Sequence, residues 1–335
     1  MPNYTLILEY VCLDANDNFR TKTKVFPTNN PVPNINDFPI WNYDGSSTNQ
    51  APSDGITEVL LKPIYYTKNP MLMDNRDAYI VFCECLNTYN KPIESNKSSE
   101  AMAIINKPEN LKKEIWFGIE MEFFFISDEN KLGPQGEYYC GLGQTNYSER
   151  KIMETLIEYC LYCDIPISGF NQEVAPHQWE FQVGPIEAQD AAHSCYVARY
   201  ILGRISEQYN KQISFHPKPI EGNYNGSGCH INISSWRTRA DEGLTEIKKT
   251  MKIMENDHAN FIENYCGKDN QLRLTGAHET SDPNVFTYSE GGRSSSIRIP
   301  TQVLTERCGY FEDRRPGSAI NYYETLAKYV GYMKN

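Results

Sequence analysis

The stretch Ile115-Trp-Phe-Gly-Ile-Glu-Met-Glu-Phe123 decides the fold class, because its side chains alternate in character with a period of two. On a strand, one face carries a row of large apolar side chains that begins at Phe117. The other face carries the carboxylates of Glu120 and Glu122, which therefore point the same way. This alternation predicts an antiparallel strand with one buried face and one polar face.

Four later stretches repeat the pattern and add other functional groups. Their polar faces carry Glu180 and Gln182, then His230, Asn232 and Ser234, then Ser296 and Arg298, and finally Tyr310, Glu312 and Arg314. One such strand alone is most often an ordinary antiparallel strand with one solvent-exposed face. If all the polar faces converge, their like charges repel, and the cluster needs cations to persist. Glutamates with a histidine suit Mg²⁺ or Mn²⁺, and nearby arginines suit phosphate oxygens, so the pattern predicts a metal-dependent phosphoryl-transfer enzyme.

Length and charge limit the remaining possibilities. The chain has 335 residues, a formal net charge of −11 and 40% hydrophobic residues, which is enough for a sizeable core. The acidic balance argues against a nucleic-acid or anionic-membrane surface. We find no apolar run that would span a membrane and no secretory signal, so we expect a cytoplasmic protein.

The pattern predicts mostly short strands and loops over residues 4–86, including a loop-rich stretch over residues 26–53. It predicts a boundary and a helix over residues 87–112, and alternating strands and helices after Ile115. The apolar spacing predicts helices over Ser148–Cys163, Ala188–Asn210, Glu242–Glu263 and Tyr322–Tyr332. The pair Cys160-x-x-Cys163 has the spacing of metal ligands but lies inside a predicted helix, which favours core packing over a zinc or redox role. The loop Asn225-Gly-Ser-Gly allows close backbone approach to a ligand. No P-loop motif accompanies it.

Several motifs in a fixed order are similar to one known family. They include Trp41-Asn-Tyr-Asp-Gly-Ser-Ser-Thr, Trp116-Phe-Gly-Ile-Glu-Met-Glu, Asn171-Gln-Glu-Val-Ala-Pro-His-Gln-Trp-Glu, Asn225-Gly-Ser-Gly-Cys-His, Arg273-Leu-Thr-Gly-Ala-His-Glu-Thr, Ser296-Ile-Arg-Ile-Pro and Gly309-Tyr-Phe-Glu-Asp-Arg-Arg-Pro. The chain resembles glutamine synthetase in its type II, eukaryotic-like form. The resemblance implies an α+β fold with a β-grasp domain over residues 1–94. A catalytic domain over residues 95–335 would contain an incomplete, funnel-like antiparallel β-barrel with surrounding helices.

The resemblance also implies a reaction and two metal sites. ATP would phosphorylate the γ-carboxylate of L-glutamate, and ammonia would then displace phosphate from γ-glutamyl phosphate to give glutamine. Each site would take Mg²⁺ or Mn²⁺. The ligand sets, carried over by position, are Glu122, Glu173 and Glu180 for one ion and Glu120, His230 and Glu312 for the other.

Substrate contacts follow from the same resemblance. Glutamate would be bound by Asn225, Gly226, Arg273, Glu279, Arg293, Arg314 and Ser47. ATP would be bound by Trp116, Pro185, Asn232, Ser234, Arg239, Arg293, Arg298 and Tyr310. Asp44 would deprotonate ammonium, and Glu279 would close the site as a flap. Arg293 and Arg314 would act on the transferring group, whereas Arg315 points the other way on an ideal strand.

The family supplies Asp44 from a neighbouring subunit, so the resemblance implies a homo-oligomer of two stacked pentameric rings. The chain enters its first strand without the N-terminal arm common in type II members, and this leaves the stability of the rings open. The loop Gly292-Arg293-Ser departs from the family pattern, as does Thr301, which leaves nucleotide affinity open. Two alternatives stay in view: a relative with another amine acceptor, and a catalytically silent structural or regulatory member. The acidic net charge and the glutamates on the strands argue against a sugar- or nucleic-acid-binding module.

Overall fold

The structure is a computed structural model, and it describes residues 2–30, 33–51, 55–74, 77–126, 135–143 and 147–334. The chain divides into two compact units. The first contains residues 1–101 and 159–165, and the second contains residues 102–158 and 166–335. The domain boundary predicted after residue 94 stays a prediction.

The first unit contains a sheet of five strands in its described residues. These strands are β1 (Tyr4–Leu13), β2 (Phe19–Thr28), β3 (Trp41–Asp44), β4 (Glu58–Lys68) and β5 (Ala78–Leu86). They lie in the order β2-β1-β5-β4-β3, and β1 runs parallel to β5 while the other pairs are antiparallel. The alternating side chains of Leu6, Leu8 and Tyr10 are buried in its core. Strand β3 lies within residues 26–53, the stretch that the sequence predicts to be rich in loops, and it pairs with β4.

The strands of the second unit form the sheet on which the polar faces lie. They are β6 (Trp116–Ile126), β7 (Ile167–Gln172), β8 (Gln178–Glu187), β9 (Gln212–Ser214), β10 (Cys229–Ser234), β11 (Tyr288–Glu290), β12 (Ile297–Ile299) and β13 (Phe311–Asp313). The described strands follow the order β11-β12-β13-β10-β6-β8-β7, with β9 paired to β6. Neighbours are antiparallel except β11 and β12. The predicted α+β class is confirmed.

The described chain has helices in each of the four ranges that the apolar spacing predicts, and further helices outside those ranges. They are α1 (Ser98–Ile105), α2 (Pro108–Leu111), α3 (Tyr147–Tyr162), α4 (Ala188–Gln208), α5 (Trp236–Arg239), α6 (Gly243–Asn256), α7 (His258–Tyr265), α8 (Thr301–Glu306) and α9 (Tyr322–Tyr332). The predicted single helix over Glu242–Glu263 is wrong, because the chain leaves the helical conformation at Asp257. The Asp257 carboxylate accepts hydrogen bonds from Lys328 at 2.7 Å and Tyr332 at 2.5 Å, both on α9. These contacts hold Asp257 at the junction of two shorter helices.

The thiols of Cys160 and Cys163 are buried, which agrees with core packing. The Cys163 Sγ lies 3.2 Å from the Lys68 backbone carbonyl and donates to it. The cluster of potential metal ligands in the described residues lies elsewhere, on the sheet of the second unit.

Candidate active site

The register of β6 with its two neighbours brings four predicted ligands together. Glu120 lies opposite His230 on β10, and Glu122 lies opposite Glu180 on β8. The alternate residues Phe117, Ile119, Met121 and Phe123 are buried on the other face of β6, as the alternation predicts. The sheet therefore places three carboxylates and an imidazole on one face, across three adjacent strands.

Glu312 extends this face through β13. It lies opposite Asn232 on β10 and opposite Arg298 on β12. Its carboxylate accepts hydrogen bonds from Arg298 Nη1 at 2.9 Å and from Arg314 Nη1 at 2.5 Å. Glu312 Oε1 also lies 3.7 Å from the Nδ1 atom of His230. Two arginines thus meet the carboxylate cluster at its β13 side, as the sequence predicts.

Glu120, Glu180 and His230 form the tightest part of the cluster. Each offers a ligand atom, and these atoms all lie within 4.8 Å of one another. His230 Nδ1 is 3.3 Å from Glu120 Oε2. Oxygen ligands with one imidazole at this spacing fit a divalent cation such as Mg²⁺ or Mn²⁺. The observed trio joins residues that the sequence analysis divided between two ions.

Burial gives these carboxyls unusual acid–base properties. It raises the pKa of Glu122 to about 8, with a further contribution from the charge of Glu173. Burial likewise raises the pKa of Glu173 to about 7 and moves the pKa of Glu180 well above its ordinary value. Burial and the charge of Arg314 lower the pKa of His230, which keeps its imidazole neutral and available as a ligand. Carboxylates that resist ionisation without a cation are the donors expected at a metal site.

Two amide side chains that the sequence analysis did not select hold the carboxylates in position. Asn171 Nδ2 donates to Glu173 Oε1 at 2.9 Å, and Gln182 Nε2 donates to Asn171 Oδ1 at 2.8 Å. Gln182 also hydrogen-bonds Glu180. The signal was available, because Gln182 shares the polar face of β8 with Glu180. Outer partners of this kind orient metal ligands.

Arg273, which is predicted to bind glutamate, is buried. Its Nε donates to Asn270 Oδ1 at 2.9 Å, and its Nη2 donates to the Arg315 and Pro316 carbonyls, each at 2.9 Å. These contacts leave Nη1 as the end of the guanidinium without a hydrogen bond among the described residues. A Cβ on Gly226 would lie 2.8 Å from Arg273 Cγ, so the glycine loop packs directly against this arginine.

Arg314 connects two segments that carry predicted substrate residues, Arg293 and Glu279. Its Nε donates to the Arg293 carbonyl at 3.0 Å, and its Nη2 donates to the Glu279 carbonyl at 3.3 Å. The side chains of Arg293 and Glu279 are exposed. His278 and Glu279 both have positive φ, at 53° and 61°. Two successive left-handed residues hold the predicted flap in a conformation that non-glycine residues seldom adopt.

A cavity of about 400 Å³ lies beside the cluster. Its lining includes six of the eight residues predicted to bind ATP, namely Trp116, Pro185, Asn232, Ser234, Arg239 and Tyr310, but not Arg293 or Arg298. Glu120 forms part of the same wall, so the cavity opens onto the carboxylates. The Arg239 guanidinium lies 4.0 Å from the Trp116 ring centroid, and its Nη1 donates to Ser234 Oγ at 2.8 Å. Sequence reasoning did not select Ser168 and Gly309, which also line the cavity.

Asp44 and Ser47 belong to the first unit, where both are exposed. The Asp44 Oδ1 accepts hydrogen bonds from the Ser46 backbone N–H at 3.0 Å and from the Ser46 hydroxyl at 2.8 Å. These hydrogen bonds lower the pKa of Asp44. Asp44 therefore has the turn-capping role that its Tyr-Asp-Gly-Ser context favours, and it is a carboxylate at neutral pH.

Comparison with known proteins decides the family. A match to the family described as "Glutamine synthetase, catalytic domain" covers residues 100–262. The glutamine synthetase of Saccharomyces cerevisiae is 40% identical over 327 residues, which is 95% of this chain and 86% of the yeast protein. The chain belongs to the glutamine synthetase family. A glutamine synthetase homologue of Acanthamoeba polyphaga mimivirus is 42% identical over 96% of this chain and 92% of the viral protein.

A solved structure extends this result to the fold. The cryo-EM structure of Plasmodium falciparum glutamine synthetase superposes with a TM-score of 0.74 over 98% of this chain and 72% of that chain, at 16% identity. Among the described residues, no helix combines the length and apolar character that a membrane crossing requires.

Proposed function

We propose that the chain ligates ammonia to L-glutamate at the expense of ATP, through γ-glutamyl phosphate, and so produces glutamine, ADP and phosphate. The proposal rests on one observation above all: the Glu120–Glu180–His230 cluster borders a cavity lined by six of the eight residues predicted to bind the nucleotide. Relatives named glutamine synthetase, at about 40% identity over most of the chain, support the same reaction.

The cluster would hold two divalent cations, Mg²⁺ or Mn²⁺. Glu122, Glu173 and Glu180 would hold one ion, and Glu120, His230 and Glu312 would hold the other. Bound there, such ions neutralise phosphate charge during transfer. The chain's own residues do the rest: the cavity around Trp116 orients ATP toward the carboxylates, and Arg298, Arg293 and Arg314 bind the oxygens of the transferring group.

Arg273, Asn225 and Gly226 would hold the main-chain end of glutamate and leave its γ-carboxylate near Glu312. Phosphorylation of the γ-carboxylate turns one of its oxygens into part of a phosphate leaving group, which ammonia can displace. Asp44 is ionised at neutral pH, so it can accept the proton that ammonium must lose before it attacks. Glu279 would shield the acyl phosphate from water.

We further propose that Asp44 and Ser47 act on the site of a neighbouring subunit, in a homo-oligomer of two stacked pentameric rings. In this assignment residues 1–94 form the β-grasp domain and residues 95–335 form the catalytic domain. The cytoplasmic location stays a prediction.

The direct test measures phosphate release from ATP by the purified protein with Mg²⁺ and glutamate, with and without ammonium, while glutamine is assayed. We expect ammonium-dependent phosphate release matched by glutamine. Glu312→Gln should abolish both, whereas Glu306→Gln, the same change at an exposed position of α8, should leave them intact. Turnover with hydroxylamine or an organic amine alone would assign another acceptor. No turnover, in protein that still binds ATP and metal, would assign a silent relative.

A further inference from the structure

The buried side chain of Gln178 joins two parts of the site that the sequence analysis treated separately. Its Nε2 donates to Glu122 Oε2 at 3.1 Å and to the Gly226 carbonyl at 3.1 Å. Gln178 is 1% exposed. One amide group thus bridges a predicted metal ligand and the loop predicted to bind glutamate.

The orientation of this amide follows from its surroundings. Gln178 Oε1 accepts a hydrogen bond from the Ala175 backbone N–H at 3.3 Å. A flipped amide would set its NH₂ group against that N–H and its oxygen against two acceptors, so all three contacts would be lost. The assigned orientation is therefore the one that satisfies every polar atom of the side chain.

A second contact ties the same carboxylate oxygen to the same loop. The Gly228 backbone N–H donates to Glu122 Oε2 at 2.8 Å, and the Glu122 backbone N–H donates to the Gly228 carbonyl at 3.1 Å. Glu122 Oε1 is left on the side of the cluster, 3.9 Å from His230 Nδ1. A movement of the Glu122 carboxylate therefore acts on the loop through Oε2.

The loop has little room to absorb such a movement. A Cβ on Gly226 would lie 2.2 Å from the Pro217 carbonyl oxygen and 2.8 Å from Arg273 Cγ, which are far inside ordinary contact distances. The backbone at Gly226 is thus confined between Pro217 and Arg273, with Gln178 attached to its carbonyl. Closely packed groups transmit displacements rather than absorb them.

We propose that Gln178 couples metal binding to glutamate binding: it is a positioning residue that aligns the Glu122 carboxylate and the Gly226 loop with each other. The inference rests on the proposed function, in which Glu122 is a metal ligand and Gly226 contacts glutamate. Such coupling is reciprocal, so the metal must strengthen glutamate binding by the same factor by which glutamate strengthens metal binding.

The test is a binding cycle by isothermal titration calorimetry on the purified oligomer. Mn²⁺ affinity is measured with and without glutamate, and glutamate affinity with and without Mn²⁺. We expect the wild-type coupling factor to lie within the common range of about 5- to 150-fold, and the factor of Gln178→Met to fall toward 1. In steady-state assays the KM for glutamate should lose its dependence on Mn²⁺ concentration, with a smaller change in kcat.

Gln172→Met is the matched control. Gln172 is also buried, and neither its Nε2 nor its Oε1 has a hydrogen-bond partner in the described structure. It lies opposite Trp179 in the β7–β8 register, on the apolar face of the sheet. The same substitution there should leave the coupling factor at its wild-type value.

Each outcome has a distinct meaning. Wild-type coupling retained in Gln178→Met would overturn the inference and leave the proposed function standing. Failure of the wild-type protein to bind either ligand would overturn the proposed function. If Gln178→Met does not fold, as judged by circular dichroism, Gln178→Asn serves instead: it keeps the amide but is one methylene shorter, so it cannot make both contacts and should also lose the coupling.

Discussion

Arg315 and Asp313 form an ion pair in which Arg315 Nη2 lies 2.6 Å from Asp313 Oδ2 and neither side chain has any solvent exposure. One residue away, Glu312 and Arg314 form a second pair at 2.5 Å on the face of the carboxylate cluster. Strand alternation separates the two pairs, since odd and even residues of a strand face opposite ways. The Arg315–Asp313 pair therefore lies in the interior, and the burial of Arg315 excludes it from the substrate side.

Arg315→Met should destabilise the protein strongly. It would leave the Asp313 carboxylate buried without a counter-charge, which costs about 3–5 kcal/mol. Arg307→Met makes the same change in an exposed pair with Glu242 at 2.5 Å and should cost far less stability, because solvent screens an exposed ion pair. Urea denaturation at a fixed protomer concentration measures both. Equal costs would contradict this view of Arg315.

Without metal, the protein should lose stability as pH rises from neutrality. A carboxyl whose pKa is raised by burial holds its proton more tightly in the folded state, so the free energy of unfolding falls as pH passes from the ordinary glutamate value toward the folded one. The folded pKa is about 7 for Glu173 and about 8 for Glu122. Thermal denaturation in a chelator at about pH 7 and about pH 8 tests this, because unfolded thiols are still mostly protonated at both pH values.

Mg²⁺ should reverse that loss, and its affinity should rise over the same pH interval. Binding displaces the protons that burial retains on Glu122 and Glu173, so metal competes with protons. Calorimetry in two buffers of different ionisation enthalpy reports the released protons. A pH-independent affinity without proton release would contradict the assignment of these carboxyls as ligands.

Asp44→Asn should abolish glutamine synthesis and keep the turn. The asparagine Oδ1 can still accept from the Ser46 N–H, which Asp44 does at 3.0 Å, but the amide cannot take a proton from ammonium. Asp44→Ala should lose both the activity and the turn contact, with a small loss of stability from the missing cap. Activity assays and thermal denaturation of the two variants separate the chemical role from the structural one. Full activity in Asp44→Asn would restrict the residue to capping.

Mixed oligomers should recover activity from two inactive variants. If Asp44 serves the site of a neighbouring subunit, co-expressed Asp44→Asn and Glu312→Gln chains form some sites with neither change, about a quarter of all sites for random mixing. Differently tagged chains, purified through both tags, provide the sample. Inactive mixed oligomers would show that each site is built from one chain.

Arg239→Met should weaken ATP binding by about three- to tenfold through loss of the cation–π contact with Trp116, and leave glutamate affinity unchanged. Arg237 offers a control on the same helix, since its guanidinium lies 5.1 Å from the Trp236 ring centroid and neither residue lines the cavity. Arg237→Met should therefore keep wild-type ATP affinity. Calorimetric titration with a non-hydrolysable ATP analogue measures both.

Local patterns predicted most of the candidate site. Period-two alternation assigned Glu120, Glu180, His230 and Glu312 to polar strand faces. This works because a strand with one buried and one polar face has side chains that alternate between apolar and polar. The break at Asp257 was not predictable, since it depends on Lys328 and Tyr332 of a helix remote in sequence. A local pattern contains no information about contacts of that kind.

By itself the sequence determined which residues share a strand face, the helices α4 and α9, and the family to which the chain belongs. Each follows from short-range alternation, helical spacing or motifs in order. Only the tertiary structure decided that Glu122, Gln178 and Gly226 meet in one hydrogen-bonded bridge and that Arg315 is buried against Asp313. The physical reason is that strand register and loop packing are long-range properties: they are fixed by which strands pair and what they bury, and no single segment specifies them.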